Sequence, residues 1–332
     1  MKIQLSPNGG TLVSAPKLCV LAILFAGAFT SCKKEVVSSE NYAANAVMAA
    51  ETSSNAVAAP TNFGALLSGN TSIDEEITVC EKLGVKYVRY AIKIKDFNGT
   101  DKGYEKWVDA GYKVLLNLNY DNVTSTNGKK KAVPFPTDMV EYRKLLEKVL
   151  DKYHPEIAVI ENEPTTDAFH TGPIENYITE LRTAVDVCTK RGIAVADGGL
   201  HMDYVGQVKT GWGLQGNALE TKKLIDAYKT MNLTYVNTHV KSPFNNSGKY
   251  PSGELEGDAD YLRTQTGKPV ICNEYNQQST STTLMTGTVG GFENGQFKYV
   301  ICRSGSGTDK GEALNNGTTL TPLGNAYRDA IK

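Results

Sequence analysis

Ile157-Ala158-Val159-Ile160-Glu161-Asn162-Glu163-Pro164 is an unbroken apolar run that delivers two carboxylates and an amide at its end. Apolar residues in succession fit a strand covered on both faces, as in a parallel sheet layered with helices, rather than the alternation of a half-exposed strand. Similar runs lie at 63–67, 86–92, 113–118, 193–196, 235–239, 270–272 and 299–302, most of them rich in Val, Ile, Leu and Tyr. With 157–160 they make eight.

Helical patterns separate these runs. Ser72-Ile73-Asp74-Glu75 is a capping box, and the helix it opens is closed by Gly84. A long amphipathic run begins at Thr137, with Val140, Leu145, Leu146, Val149 and Leu150 on one side. Another opens at Pro173 and carries Ile174, Ile178, Leu181, Val185 and Cys188 at three-to-four spacing up to Gly192. Further helical patterns cover 218–231, 257–266 and 322–331, whereas Gly287, Gly290 and Gly291 argue against a long helix in 279–293. Gly84, Gly111, Gly192 and Gly267 each stand just past a helix and before a strand, the short connection of a repeated unit. Eight alternating units predict an α/β chain closed into a single (β/α)8 TIM barrel. The alternative, an open doubly wound sheet, would carry a Gly-rich phosphate loop after its first strand, and Gly64-Ala65-Leu66-Leu67-Ser68-Gly69 lacks that fingerprint.

The barrel does not need the whole chain of 332 residues. Residues 1–31 read as a signal peptide, with Lys2 and Lys17 ahead of an apolar run at 18–29 that is too short to span a bilayer. Phe29-Thr30-Ser31-Cys32 resembles the lipobox of bacterial lipoproteins, although Phe29 stands where an aliphatic residue is usual. The resemblance implies cleavage before Cys32, lipid on its sulfur, and a protein held to the bacterial cell envelope by that anchor alone. Residues 32–60, rich in Ala, Ser, Asn, Val and Glu, read as a flexible tether, leaving 61–332 for the barrel. A net charge of −1 gives no reason to expect a nucleic-acid partner. The cysteines form no CxxC and no Cys/His spacing suited to zinc. Cys272 and Cys302 fall on neighbouring strands, where buried free thiols are expected rather than a bridge.

In such a barrel the chemistry gathers at the C-terminal ends of the strands. Those ends carry Arg89; Asn117, Asn119 and Tyr120; Glu161, Asn162 and Glu163; Asp197 and His201; Asn237 and His239; and Asn273 and Glu274. Side chains alternate along a strand, so Glu161 and Glu163 are expected on one face. Glu163 and Glu274 would then face each other across one rim. Two opposed carboxylates are the minimum equipment for cutting a glycosidic bond.

The order of these residues resembles clan A of the retaining glycoside hydrolases, a (β/α)8 superfamily. Asn162-Glu163-Pro164 is similar to its Asn-Glu at the end of strand four, and Glu274 to its second Glu at the end of strand seven. Arg89 resembles the strand-two arginine that supports the nucleophile, and His239 a frequent strand-six histidine. The resemblance covers roughly 60–332. It implies a monomeric β-glycosidase working on a carbohydrate substrate without metal or cofactor. Glu163 is then the acid/base, its carboxyl raised by burial or by a nearby negative charge, and Glu274 the ionised nucleophile. Asn162 binds the sugar 2-hydroxyl, and Asn119 and His239 help to line the site.

The chain departs from that family at strand eight. Ile301-Cys302-Arg303-Ser304 lacks the tryptophan that floors the first sugar site, and only Trp107 and Trp212 exist. Trp107 falls in a helical pattern and is expected to pack. Trp212, in the loop after strand five, is a candidate sugar platform. The missing floor favours an alternative, a lipoprotein that binds glycans at a degenerate glycosidase site without cutting them.

Overall fold

The computed structural model describes residues 60–67, 72–121, 124–126, 129–242, 254–304 and 313–332. The expected signal peptide, Cys32 and nearly all of the tether lie outside them.

All eight expected strands form: β1 (Asn62–Leu66), β2 (Tyr87–Lys93), β3 (Lys113–Asn119), β4 (Ile157–Ile160), β5 (Val195–Asp197), β6 (Val236–Ser242), β7 (Val270–Gln277) and β8 (Tyr299–Arg303). Around them run α1 (Ile73–Leu83), α2 (Lys102–Asp109), α3 (Met139–Lys152), α4 (Ile174–Lys190), α5 (Met202–Thr210), α6 (Asn217–Tyr228), α7 (Glu254–Thr266), α8 (Thr282–Asn294) and α9 (Pro322–Ala330). Every pairing between barrel strands is parallel, and β8 returns to β1. The fifth strand is broken. Val195–Asp197 pairs with β4, while Leu200–His201 pairs with β6 after the turn at Gly198-Gly199. A bridge between Ala196 and Tyr235 closes the seam below that break. The described residues therefore form a nearly closed (β/α)8 barrel. Among the described residues no helix is long and apolar enough to cross a membrane.

The strands alternate between two cores. On β3 and β4, Leu115, Ile157 and Val159 fill the barrel interior with Ala196, Ile271, Tyr299 and Ile301. Val114, Leu116, Leu118, Ala158 and Ile160 face outward into the layer shared with the helices. Burying both faces explains the unbroken apolar run: a polar residue at either parity would sit in an apolar layer without a partner. Tyr87 and Tyr235 pack edge-on against Tyr299 at the N-terminal end and plug the barrel there.

The helices begin where their caps put them. Ser72 Oγ accepts the Glu75 N–H and Gly84 closes α1 in the left-handed region at φ 76°, while Asp138 caps α3. Such an N-cap contributes about 1 kcal/mol. Val140, expected on the buried side of α3, is instead exposed. It lies in the first turn, before the helix reaches the barrel wall, and Tyr142, Leu146, Val149 and Leu150 make the contact. The three glycines do not break α8. Ser281 caps it, and the helix is held by Met285, Val289 and Phe292, all buried. The cysteines at 80, 188, 272 and 302 are buried and free, and no bridge joins Cys272 to Cys302. Trp107 packs in the core against Tyr112.

Candidate active site

A cavity of about 700 Å³ opens at the C-terminal ends of the strands, lined by Arg89, Asn119, Asn162, Glu163 and Glu274 among others. Each wall is set by a local departure from regular strand geometry.

The first departure follows β4. Glu161 and Glu163 both lie in the left-handed region, at φ 65° and 46°. A side chain there costs on the order of 1–3 kcal/mol, and the position before a proline is restricted further. The broken fifth strand supplies what holds it. Glu163 N–H donates to Gly198 O at 2.9 Å. The Tyr177 hydroxyl donates to Ile160 O at 3.0 Å and accepts the Gly198 N–H at 2.8 Å. Gly198 permits this approach, because a Cβ there would lie 2.6 Å from Ile160 O.

That turn separates the two glutamates that simple alternation would put on one face. Glu161 accepts the Tyr120 N–H at 2.6 Å and lies beside Glu180 of α4. It stays outside the Glu163 network. Glu163 places Oε1 2.8 Å from His239 Nδ1 and Oε2 3.1 Å from His201 Nε2.

The second departure is a bulge in β7. Thr238 is opposite Cys272, yet His239 is opposite Glu274. The extra residue aims Asn273 into the barrel and Glu274 into the cavity, a known use of bulges beside active sites. Arg89 then gathers the pieces. It donates from Nε to Asn117 Oδ1 at 2.9 Å, from Nη1 to Glu274 Oε2, and from Nη2 to Asn162 Oδ1.

A chain of amides starting at Arg89 fixes the protons around His239. Arginine only donates, so the Asn117 atom facing it is the oxygen. Asn273 Nδ2 donates to that same oxygen at 2.9 Å, which turns Asn273 Oδ1 toward His239 Nε2 at 2.8 Å. Asn237 agrees. Its Oδ1 accepts the Asn273 backbone N–H at 3.0 Å, and its Nδ2 donates to Asn273 Oδ1 at 2.8 Å. His239 Nε2 therefore carries hydrogen. The contact between Nδ1 and Glu163 Oε1 then needs one further proton, on the imidazole or on the carboxyl, since two lone pairs would otherwise face each other.

The two carboxylates are tuned by what surrounds them. Burial pushes Glu274 up, but the Arg89 guanidinium outweighs it, with His239 and Arg303 adding to the same side, and the carboxyl is held below its ordinary range. Burial likewise opposes ionisation of Glu163, and the hydrogen bonds from His201 and His239 overcome it, so this carboxyl too is held low. That differs from the raised carboxyl expected of an acid. The sequence does not show that two histidines converge on Glu163, and that convergence is what holds it low. An oxygen of Glu163 and an oxygen of Glu274 lie within 4.8 Å of each other, with a His239 nitrogen in the same set. These atoms are a poor cation site, because Glu163 is engaged by His239 and Glu274 by Arg89.

Two histidines lie outside the family motif. His201, expected at the end of strand five, ends the broken fifth strand and reaches Glu163. His170 lies in the loop after β4, stacks on Phe135 at 4.5 Å, and meets Asn162 O through Nε2 at 2.9 Å. Burial lowers its pKa to about 4, so it is a neutral donor that steadies the Asn162 backbone. Trp212 lies apart from the group. It follows α5, is 81 % exposed, and is not among the residues lining the cavity. Asn119 does line the cavity.

No family model matches the sequence, and no curated protein matches it. The fold has solved counterparts. A family 5 xyloglucanase from Paenibacillus pabuli in complex with ligand is 15% identical, aligning over 83% of this chain and 100% of its own, with a TM-score of 0.57. A GH128 (subgroup II) endo-β-1,3-glucanase from Sorangium cellulosum is 13% identical over 81% of this chain and 98% of its own, TM-score 0.54. A subgroup I endo-β-1,3-glucanase from Amycolatopsis mediterranei in complex with laminaripentaose is 12% identical over 81% and 99%, TM-score 0.51. At these identities the likeness carries the fold: this chain has the (β/α)8 barrel of the glycoside hydrolases it is similar to.

Proposed function

We propose that this protein is a retaining glycoside hydrolase that cleaves a β-linked glycan by double displacement. The observation that carries the reading is the close approach of Glu163 and Glu274, with oxygens within 4.8 Å at the floor of one cavity. Retaining enzymes set their carboxyl groups roughly 5–5.5 Å apart, whereas inverting ones leave about 6.5–9.5 Å for a water between them.

Glu274, kept ionised by Arg89, attacks the anomeric carbon. The bond to the leaving oxygen breaks as the ester to Glu274 forms. The leaving oxygen takes the proton held by the Glu163–His239 pair. A water then enters, Glu163 accepts its proton, and the hydroxide attacks the anomeric carbon and releases Glu274. Asn162 spends Oδ1 on Arg89, which leaves Nδ2 to donate to the sugar 2-hydroxyl as positive charge grows on the ring. Arg89 thus fixes the nucleophile and the Asn162 amide through one rigid group.

The test uses aryl β-glycosides and β-linked polysaccharides. Turnover followed by NMR should release the β anomer first. Glu274→Ala should lower kcat by at least about 10³-fold on every substrate. Glu163→Ala should retain turnover on substrates whose leaving group needs no proton, and azide should rescue it. Glycan binding without hydrolysis, unchanged in Glu274→Ala, would sink the reading in favour of a binding protein.

A further inference from the structure

A second tier of polar side chains stands above the Glu163–Glu274 pair on three adjacent strands. Lys241 of β6 is the register partner of Asn276 of β7. Arg303 of β8 follows directly on the Tyr275–Cys302 pair. All three line the cavity. Lys241 and Asn276 lie two residues beyond His239 and Glu274 on their own strands, which is roughly 6–7 Å nearer the mouth. That is comparable with the span of one sugar ring.

Among the described residues the positive charge of this tier is only weakly countered. Across the cavity, Asp121 is held by Lys93 at 2.7 Å and Lys95 at 2.9 Å. Glu274 is engaged by Arg89, and Arg303 reaches its other oxygen only at 3.8 Å. Lys241 has no ion-pair or hydrogen-bond partner among the described residues. Two cations on strands roughly 10 Å apart, at the mouth of a cleft, raise a local potential that draws an anion. Among the described residues the lining offers little to a neutral sugar face, since Phe169 is the one Phe, Tyr or Trp there. A lysine, an amide and an arginine in one row form a cradle for a planar or tetrahedral oxyanion, with the arginine supplying paired donors.

We infer that the sugar bound at the cleavage point carries an anionic group, a carboxylate or a sulfate ester, seated between Lys241 and Arg303 with the Asn276 amide beside it. The inference rests on the reading of the cleft as a glycosidase site. Specificity then comes from charge at strands six and eight. In the same place Arg303 also helps to keep Glu274 ionised.

The experiment compares β-linked uronic-acid oligosaccharides with their carboxyl-reduced forms, and sulfated oligosaccharides with their desulfated forms. Turnover is measured on the full-length protein. Calorimetric binding of the same four ligands is measured on Glu274→Gln, with Lys241→Gln and Arg303→Gln added singly and together. The expected result is at least a tenfold preference in kcat/KM for one anionic member over its neutral partner, which falls toward unity in the double variant. Affinity for that ligand should also fall with rising salt while affinity for the neutral partner does not. The uronate and sulfate arms identify the source of the charge. Equal or better turnover of the neutral partners overturns the anionic site and leaves the glycosidase reading standing. Selective binding of an anionic ligand without turnover overturns the glycosidase reading and leaves the anionic site. Neither turnover nor charge-selective binding overturns both.

Discussion

Glu163 carries the chemistry of the proton only in company with His239. The amide chain from Arg89 through Asn117 and Asn273 fixes a hydrogen on His239 Nε2, so the 2.8 Å contact at Nδ1 holds the remaining proton. Loss of the proton that Glu163 gives to the leaving oxygen sets the alkaline limit of activity. Replacing His239 by Gln removes one of the two partners that hold Glu163 low. With only His201 left to it, the Glu163 carboxyl rises. In His239→Gln the alkaline limb of the kcat/KM profile should therefore move to higher pH. The rate at the optimum should fall about 10²-fold, within the usual yield of general acid catalysis. A uniform loss of rate with both limbs unmoved would show that the histidine only packs.

Each glutamate reaches the cavity through an irregular element. The left-handed turn after β4 is held by the Gly198-Gly199 break in the fifth strand, and the bulge in β7 turns Glu274 inward. Gly199 lies at φ 99°, and a Cβ there would come within 2.5 Å of the His239 ring. Gly199→Ala should cost roughly 1–3 kcal/mol in strain and also displace the imidazole. Gly84, at φ 76° with nothing within 4 Å of a Cβ, bears the strain alone. Both variants should melt lower by thermal denaturation, while only Gly199→Ala should lose most of its turnover. Equal activity in the two would sever the turn from the site. These irregularities also mark where sequence reading ran out. The eight strands are legible because both of their faces are apolar, and Glu163, Glu274 and Arg89 because strand ends face the rim. The facing of Glu161 is not legible, since one left-handed residue cancels alternation. The helix Met202–Thr210 falls within a stretch read as loop, because Gly206 and its short length hide its period. His170 reaches the site by tertiary approach, which no spacing in the chain announces, whereas His201 is legible as a strand-five end and only its contact with Glu163 is not.

At the scale of the molecule, the barrel wall keeps two populations of carboxyls whose pH dependences oppose each other. Burial raises Glu180, a shift reinforced by Glu161 beside it, and raises Asp197 to about 7. These groups hold protons in the fold that the unfolded chain releases above about pH 4. Their contribution is thus lost as pH rises through the interval up to the folded values, at up to about 1.4 kcal/mol per pH unit for each retained proton. Glu163 and Glu274 are held low, so their contribution is present above the unfolded value and is lost as pH falls below it. The two trends meet in mild acid, and the melting temperature should peak near pH 5. Glu180→Gln copies the neutral form that the fold prefers, without a proton to lose. In that variant the decline on the alkaline side should flatten and the acid side should remain as it is. Thermal melts at half-unit steps from pH 3.5 to 8.5 test this directly. A decline in Glu180→Gln parallel to that of the unsubstituted protein would mean that Glu180 is ionised within the wall and shares no proton with Glu161.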